Sequence, residues 1–373
     1  MVRRMPFFIL CSPRTRSWLI YSVTITCLVV FAFRVLSFRN EQNQQFLFSS
    51  TAIQGQPSSK GHELCGHIPP PRPLSPPERG TDTFFAICAI ARAVATSENR
   101  GINEWLYHHL HYFDATIYLF DNLSTDPLKE TVKALLDVFP QYADRVKVFS
   151  YPVKRPLQCL IYDACLQRVR NKHSWIAFFD VDEFLWQSPY WMKRPFKEYM
   201  DRFKGYPGLL VQWITYGSNN LTRPAPSIRR DFTSCSVGWN PHTSGLKTII
   251  QTKFRKSSEN ENENNNDNFE AELPKCITPH SFLPPKDTVM ITETFRPFNA
   301  SHTPEGMWSA KDISMNHYAV RSLSEFQVKM TRACGIRKTW VFWKHVEGFQ
   351  NSRCYDLSRL KDGWSCGLEH GLL

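Results

Sequence analysis

Nowhere in the 373 residues is there a glycine-rich phosphate loop: neither Gly-x-Gly-x-x-Gly nor a Walker pattern occurs, and the chain holds only 16 glycines. A backbone cradle for phosphate is therefore excluded, so phosphate charge bound here has to be met by side chains or a cation. Cys-x-x-Cys and His-x-x-x-His are also missing, which removes the short-spaced zinc sites. No run of Lys and Arg interleaved with aromatics is present. The net charge is +11, but residues 1–40 hold six arginines and no acid, which leaves 39 bases against 34 acids, a net +5, for everything after them. Such a mildly basic body suits a small anionic ligand and makes no case for nucleic acid.

One long apolar run is present. From Trp18 to Leu36 the sequence WLIYSVTITCLVVFAFRVL carries no charge before Arg34, and roughly 19 residues are enough to span a bilayer. Arg3, Arg4, Arg14 and Arg16 precede it, whereas only Arg34 and Arg39 follow closely. The positive-inside bias then predicts a cytosolic tail at 1–17, an uncleaved single-pass anchor at 18–38 and a lumenal body. A cleaved signal peptide is the alternative, but no small-x-small site follows the apolar stretch. Residues 39–80, rich in Gln, Ser and Pro, read as a stem, and 81–373 as the globular domain. Within it, 256–272 is an acidic, Asn-rich insertion expected to be a disordered loop. Eleven cysteines suit an oxidising compartment; the nine beyond Cys11 and Cys27 are expected to pair in part, with connectivity left open by spacing alone. Asn122, Asn220 and Asn299 stand in glycosylation sequons.

The domain opens with strand and helix patterns in alternation. Strands are predicted at Thr83–Ala91, Ala115–Asp121, Arg145–Tyr151 and from Trp175 on, with a loop through Ser97 before the first helix and further helices at Pro127–Phe139 and Leu157–Arg170. Four β-α units in succession imply a doubly wound, mostly parallel central sheet whose strand ends share one edge. Two of those ends are acidic. Asp121 is followed by Asn122, Ser124 and Asp126, a pattern that equally forms an Asx turn capping the next helix. Trp175–Phe179 leads into Asp180, Asp182 and Glu183, three carboxylates whose burial costs several kcal/mol unless a cation or donors meet them, roughly as for any unpaired buried ion. If the strand continued, Asp180 and Asp182 would share a face and Glu183 would point away. Hard oxygen ligands so paired suit a divalent ion with a phosphate. Phe184 stands where a haloacid-dehalogenase-type phosphatase needs a small hydroxyl or β-branched residue, which argues against that class.

The order CAIA, EWLYHH, IYLFDNLSTD, the helix opened by Gln158, and WIAFFDVDEF resembles glycosyltransferase family 92. GLLVQWITYGSNNLTRP, LKTIIQTKF, TPHSF and MNHYAVRSLSEF continue the resemblance downstream. It implies a GT-A fold in a type II Golgi membrane protein that moves galactose or a related sugar, with inversion, from a nucleotide donor such as UDP-galactose to a glycan acceptor. Position by position it implies Asp180, Asp182 and His280 as holders of a divalent ion, best Mn²⁺ for carboxylate and imidazole donors, Asp121 and Asn122 beside the nucleoside, and Gln158 nearby. Glu104, Trp105 and His109 match the first helix block, and Asn316, His317 and Tyr318 a further polar block. The loop ARAVATSENRG departs from the family's compact Lys-Asn-Glu turn and lacks its basic residue in place, for which Arg92 is the expected substitute beside the donor. For the proton acceptor, Asp231, Glu183 and Glu293 are available, with Asp231 preferred because it follows the Trp213–Asn220 segment; Trp213 is the candidate for stacking on a sugar. Two other classes remain open: a catalytically inactive, membrane-tethered carbohydrate-binding protein of the same fold, and a metal-dependent hydrolase.

Overall fold

The computed structural model describes residues 84–373 except 153–157, 255–272, 299–301, 332–339, 355–356, 361, 363, 366–367 and 369–373. The anchor, the stem and the insertion expected from the sequence lie outside the described residues. Among the described ones, no helix is long and apolar enough to cross a membrane.

The first half follows its sequence pattern closely. Strands β1 (Phe85–Ala91), β2 (Thr116–Asp121), β3 (Val146–Ser150) and β4 (Trp175–Phe178) lie in the order β3-β2-β1-β4, all parallel. Helices α1 (Thr96–Phe113), α2 (Leu128–Val138) and α3 (Gln158–Val169) join them, α1 starting just before the end of the predicted loop. Burial on both faces is why β1, β2 and β4 read as unbroken apolar runs, whereas β3, at the edge, exposes Lys147 and Ser150. Phe85, Ile87 and Ala89 of β1 pack in one layer with Trp105, Leu106 and Leu110 of α1. Ala86 and Cys88 turn the other way, onto Ile161, Tyr162 and Leu166 of α3. A Cys88–Cys165 disulfide ties that second layer down.

Past β4 the expected parallel order stops. A parallel neighbour needs a crossover of about a dozen residues, and only Phe179–Asp182 separate β4 from β5 (Glu183–Gln187). Thus β5 leaves β4 and pairs antiparallel with β12 (Ile313–His317). The place beside β4 goes to β8 (Leu246–Gln251), antiparallel, followed by β6 (Gly208–Tyr216), again antiparallel. The sheet is therefore mixed: doubly wound and parallel in its first half only. The hairpin of β9 (Lys275–Thr278) and β10 (Ser281–Leu283) is held to α3 by a Cys159–Cys276 disulfide. A third disulfide, Cys235–Cys354, joins β7 (Ser234–Ser236) to the residue after β13 (Ser352–Arg353).

Strand β6 is the joint. Its Gly208–Gln212 half pairs with β8, and from Trp213 to Thr215 it pairs with β12, so the sheet curls at Trp213. Gly245 permits the curl: a Cβ there would lie 2.3 Å from the Trp213 ring, closer than carbon atoms can approach.

Candidate functional site

The turn that ends β4 brings the acidic cluster together, in a different pairing from the one expected. Since the strand stops at Phe178, Asp180 and Asp182 do not share a strand face. Asp180 and Glu183 meet instead, on Lys247 of β8. The Lys247 ammonium donates to Asp180 Oδ2 at 2.8 Å, lies 3.2 Å from Glu183 Oε2, and is fully buried. The Asp180 N–H donates to the same Glu183 oxygen at 2.8 Å. Asp182 faces another lysine: Lys329 of α7 (Leu323–Thr331) donates to its Oδ2 at 2.6 Å, and His317 Nε2 lies 3.8 Å from its Oδ1.

The charges follow from this geometry. Burial pushes the Asp180 carboxyl up, but the Lys247 ammonium more than offsets it and holds Asp180 below the usual carboxylate range. Burial likewise drives Glu183 well above that range, and the Lys247 ammonium, which it shares with Asp180, opposes the rise. Lys247 stays charged: burial opposes the charge, and Asp180 and Glu183 outweigh it.

Trp213 links the two carboxylates' surroundings. Its ring centroid lies 4.1 Å from that of His317 and 5.1 Å from that of His280, edge-on to the latter. Burial lowers His280 to about 4, helped by Lys247 and opposed by Asp180, so the imidazole is neutral and able to act as a ligand. Its Nδ1 is buried with no hydrogen-bond partner. Among the described residues, no three His, Cys, Asp or Glu side chains converge as a ready metal cage. The donor types at this edge fit an ion that takes the rest of its shell from phosphate and water.

The other expected ligand contacts are placed less openly. Both Asp121 oxygens accept backbone N–H groups, from Ser124 and Leu128 at 3.0 Å each, so the side chain ties the loop after β2 to the first residue of α2. Asn122 donates to Tyr151 O at 3.0 Å. Gln158 and Tyr162, both from α3, reach Asp180 Oδ1 at 3.5 and 3.4 Å. Arg92 lies half-buried just past β1. β1, β2 and β4 run parallel in adjacent places, so Asp121 and Asp180 do share the sheet's carboxyl edge.

The three acids considered as bases all hold backbone in place. Asp231, at the end of α6 (Ile228–Asp231), accepts from Ser227 N at 2.9 Å and from Arg230 Nε at 2.8 Å. Glu183 is sealed between Lys247 and the Asp180 N–H. Glu293 accepts from the N–H groups of Lys311, Asp312 and Ile313 at 2.8–2.9 Å and from the Ser309 hydroxyl.

The EWLYHH block supports the site from behind. Trp105 Nε1 donates to Glu183 O at 2.7 Å, and Leu185 N donates to His109 Nε2 at 3.2 Å, so β5 hangs from α1. Glu104 accepts from Ser227 Oγ and Ile228 N, both at 2.6 Å, and from Arg229 Nε at 3.2 Å. Reading the sequence singled out neither Lys247 nor Lys329. Lys247 had a signal, as the lone charge in the apolar strand LKTII; Lys329, remote in sequence and on a mixed helix, had none.

Among solved structures, S. aureus TarS 1-349 matches with 14% identity and a TM-score of 0.28, over 45% of this chain and 47% of that one. The same protein in complex with UDP-GlcNAc matches with 15% identity and a TM-score of 0.27, over 45% of each chain. Glucosyl-3-phosphoglycerate synthase from Mycobacterium tuberculosis matches with 14% identity and a TM-score of 0.25, over 45% of this chain and 57% of that one. The chain thus spans about half the length of the solved chains it matches. No curated protein shows a significant match. The family model that does match, over residues 103–279, is that of glycosyltransferase family 92, and it supports a glycosyltransferase.

Proposed function

We propose that this chain is a nucleotide-sugar-dependent glycosyltransferase of the GT-A kind, which moves a hexose, galactose by family resemblance, from a UDP donor to a glycan acceptor with inversion. One observation carries the reading: inside the region matched by the family model, β4 delivers Asp180 and Asp182 to the carboxyl edge of the sheet, flanked by Lys247, Lys329, His317 and Trp213. That edge is where open α/β sheets bind their ligands. Asp180, Asp182 and His280 are the residues that would hold a divalent ion, Mn²⁺ by donor type. Bound there, such an ion would act as a Lewis acid toward the departing diphosphate. The chain's own part is to fix Asp180 through Lys247, to place ammonium groups near the phosphates, and to offer Trp213 beside the sugar. The three disulfides among the described residues support an oxidising compartment, in keeping with a Golgi lumenal domain behind an anchor at 18–38.

The test is a panel of UDP-sugars offered to the full-length protein with Mn²⁺ and glycan acceptors, scored for both UDP release and the glycosylated product. Product from one donor supports the reading, and metal chelation should abolish it. Sugar or phosphate released without acceptor would favour the hydrolase class. A second reading, a non-catalytic carbohydrate-binding protein, draws support from one finding: Asp231, Glu183 and Glu293 are all committed to structural bonds. Binding of glycan with no turnover of any donor would establish it.

A further inference from the structure

The two lysines at the acidic turn are held in different ways. Lys247 rises from the middle of the sheet, and its ammonium is fully buried among Asp180, Glu183 and the Pro279 carbonyl at 2.8, 3.2 and 3.4 Å. A charge so enclosed cannot leave without stranding buried carboxylates. Lys329 comes from α7, a half-buried surface helix, and donates to Asp182 Oδ2 at 2.6 Å and Ala319 O at 2.9 Å. Its side chain keeps 10% exposure, against none for Lys247, and its four-carbon stem carries a compact point charge on rotatable bonds. Asp182 itself is fixed by its main chain, because Tyr318 N donates to Asp182 O at 2.9 Å and Arg321 Nη2 to Val181 O at 3.3 Å.

Resting on the transferase reading, we propose that Lys329 is a diphosphate-binding residue that exchanges partners: it sits on Asp182 while the edge is without ligand and passes to the donor's phosphates when a divalent ion takes Asp182. One carboxylate oxygen cannot serve an ammonium at 2.6 Å and a divalent ion together, since the two cations repel at that range. A metal ion arriving alone therefore competes with Lys329 for this carboxylate, directly at Oδ2 and by repulsion from Oδ1, and brings no new anion for the ammonium. An ion arriving with a diphosphate brings new oxygens for the displaced ammonium, and every charge stays paired. The two ligands then bind with positive coupling, and Lys329 is the source of that coupling. Lys247 takes no part in the exchange and keeps Asp180 in place throughout.

The experiment measures binding of Mn²⁺ alone, and of Mn²⁺ with inorganic pyrophosphate or UDP, to the full-length protein in detergent by calorimetry and by the spin resonance of free Mn²⁺. In the native protein each diphosphate should tighten Mn²⁺ tenfold or more. In K329M, Mn²⁺ alone should bind about tenfold more tightly than to the native protein, and the coupling should shrink to within threefold. K329R, which keeps the charge, should keep the coupling and guards against a folding defect in K329M, as do matching melting curves. Coupling unchanged in K329M, or weaker binding of Mn²⁺ alone, overturns the proposal. Failure of UDP to bind in any form, with the pyrophosphate coupling intact, would instead remove the nucleotide-sugar reading and leave the lysine exchange standing.

Discussion

Among the described residues, two clusters of acid and base side chains look alike as chemistry and differ in access. In the first, Arg229 donates to Glu104 and Asp362 at 3.2 and 2.8 Å, and Tyr112 donates to Asp362 at 2.8 Å, with every member buried. It ties α1, α6 and the C-terminal segment together. In the second, Asp180 keeps 28% of its side chain exposed and Asp182 11%, at the open edge of the sheet. A sealed cluster with every charge answered holds a fold in place; a cluster of the same composition left ajar can take a ligand. The two invite perturbations whose effects should separate cleanly.

Acid should strike the sealed side hardest. His108, His109 and His111 on α1 are buried beside this cluster, and burial is the main reason each lies below the usual 6.5: His109 at about 3, His111 at about 4 and His108 well below. A histidine lowered in the folded state binds its proton more readily when unfolded, so its stabilisation is complete above pH 6.5 and is lost as pH falls toward the folded value. Each such group removes about 1.4 kcal/mol per pH unit. The three together remove about 4 kcal/mol per unit below pH 6.5, a large part of the 5–15 kcal/mol typical of a domain, roughly speaking. Denaturant midpoints measured from pH 7.5 to 5 should fall steeply below 6.5; a flat profile would mean that these histidines are not held neutral.

Arg229→Met comes next, at about 3–5 kcal/mol, because it leaves two buried carboxylates without their cation. Asp182→Asn should do the reverse, with little loss of stability and a drop in transfer of about a hundredfold or more, near 3 kcal/mol of transition-state stabilisation. Circular dichroism and a donor-turnover assay on the same two proteins decide the matter. If both variants lost stability and activity in parallel, the distinction between the clusters would fail.

The same contrast explains what was legible in the sequence. The parallel half is written locally: TFFAICAIA, IYLFD and WIAFF are short apolar runs, and Trp105, Leu106 and Leu110 recur at helical spacing, so β1 to β4 and their helices follow from neighbours in the chain. The mixed half rests on pairings distant in sequence, such as β5 with β12 and β6 with β8. No period within either partner encodes those. The carboxylates stood out because Asp180 to Glu183 break an apolar run. Their lysines did not, since what makes Lys247 and Lys329 matter is the residue across the sheet or the turn, 67 and 147 positions away.

Asp231 gives the smallest effect and the sharpest discrimination. Sequence order recommends it as the base, because it follows the segment from Trp213 that could hold a sugar. In the fold its carboxylate is engaged elsewhere. It accepts from Ser227 N, while Ser227 Oγ caps the same turn by accepting from Arg230 N at 3.2 Å, and Arg230 pairs with it from outside. A capping carboxylate changed to its amide keeps an acceptor oxygen and loses charge, which costs about 1 kcal/mol or less. Asp231→Asn should therefore lower the denaturant midpoint slightly and leave donor turnover within a fewfold of native. A general base so replaced loses a hundredfold or more, as proton transfer to a positioned side chain contributes on the order of 10² to 10⁴. A loss of that size with the fold intact would place Asp231 at the acceptor hydroxyl and move the open region of the molecule from the lysine-held turn to the end of α6.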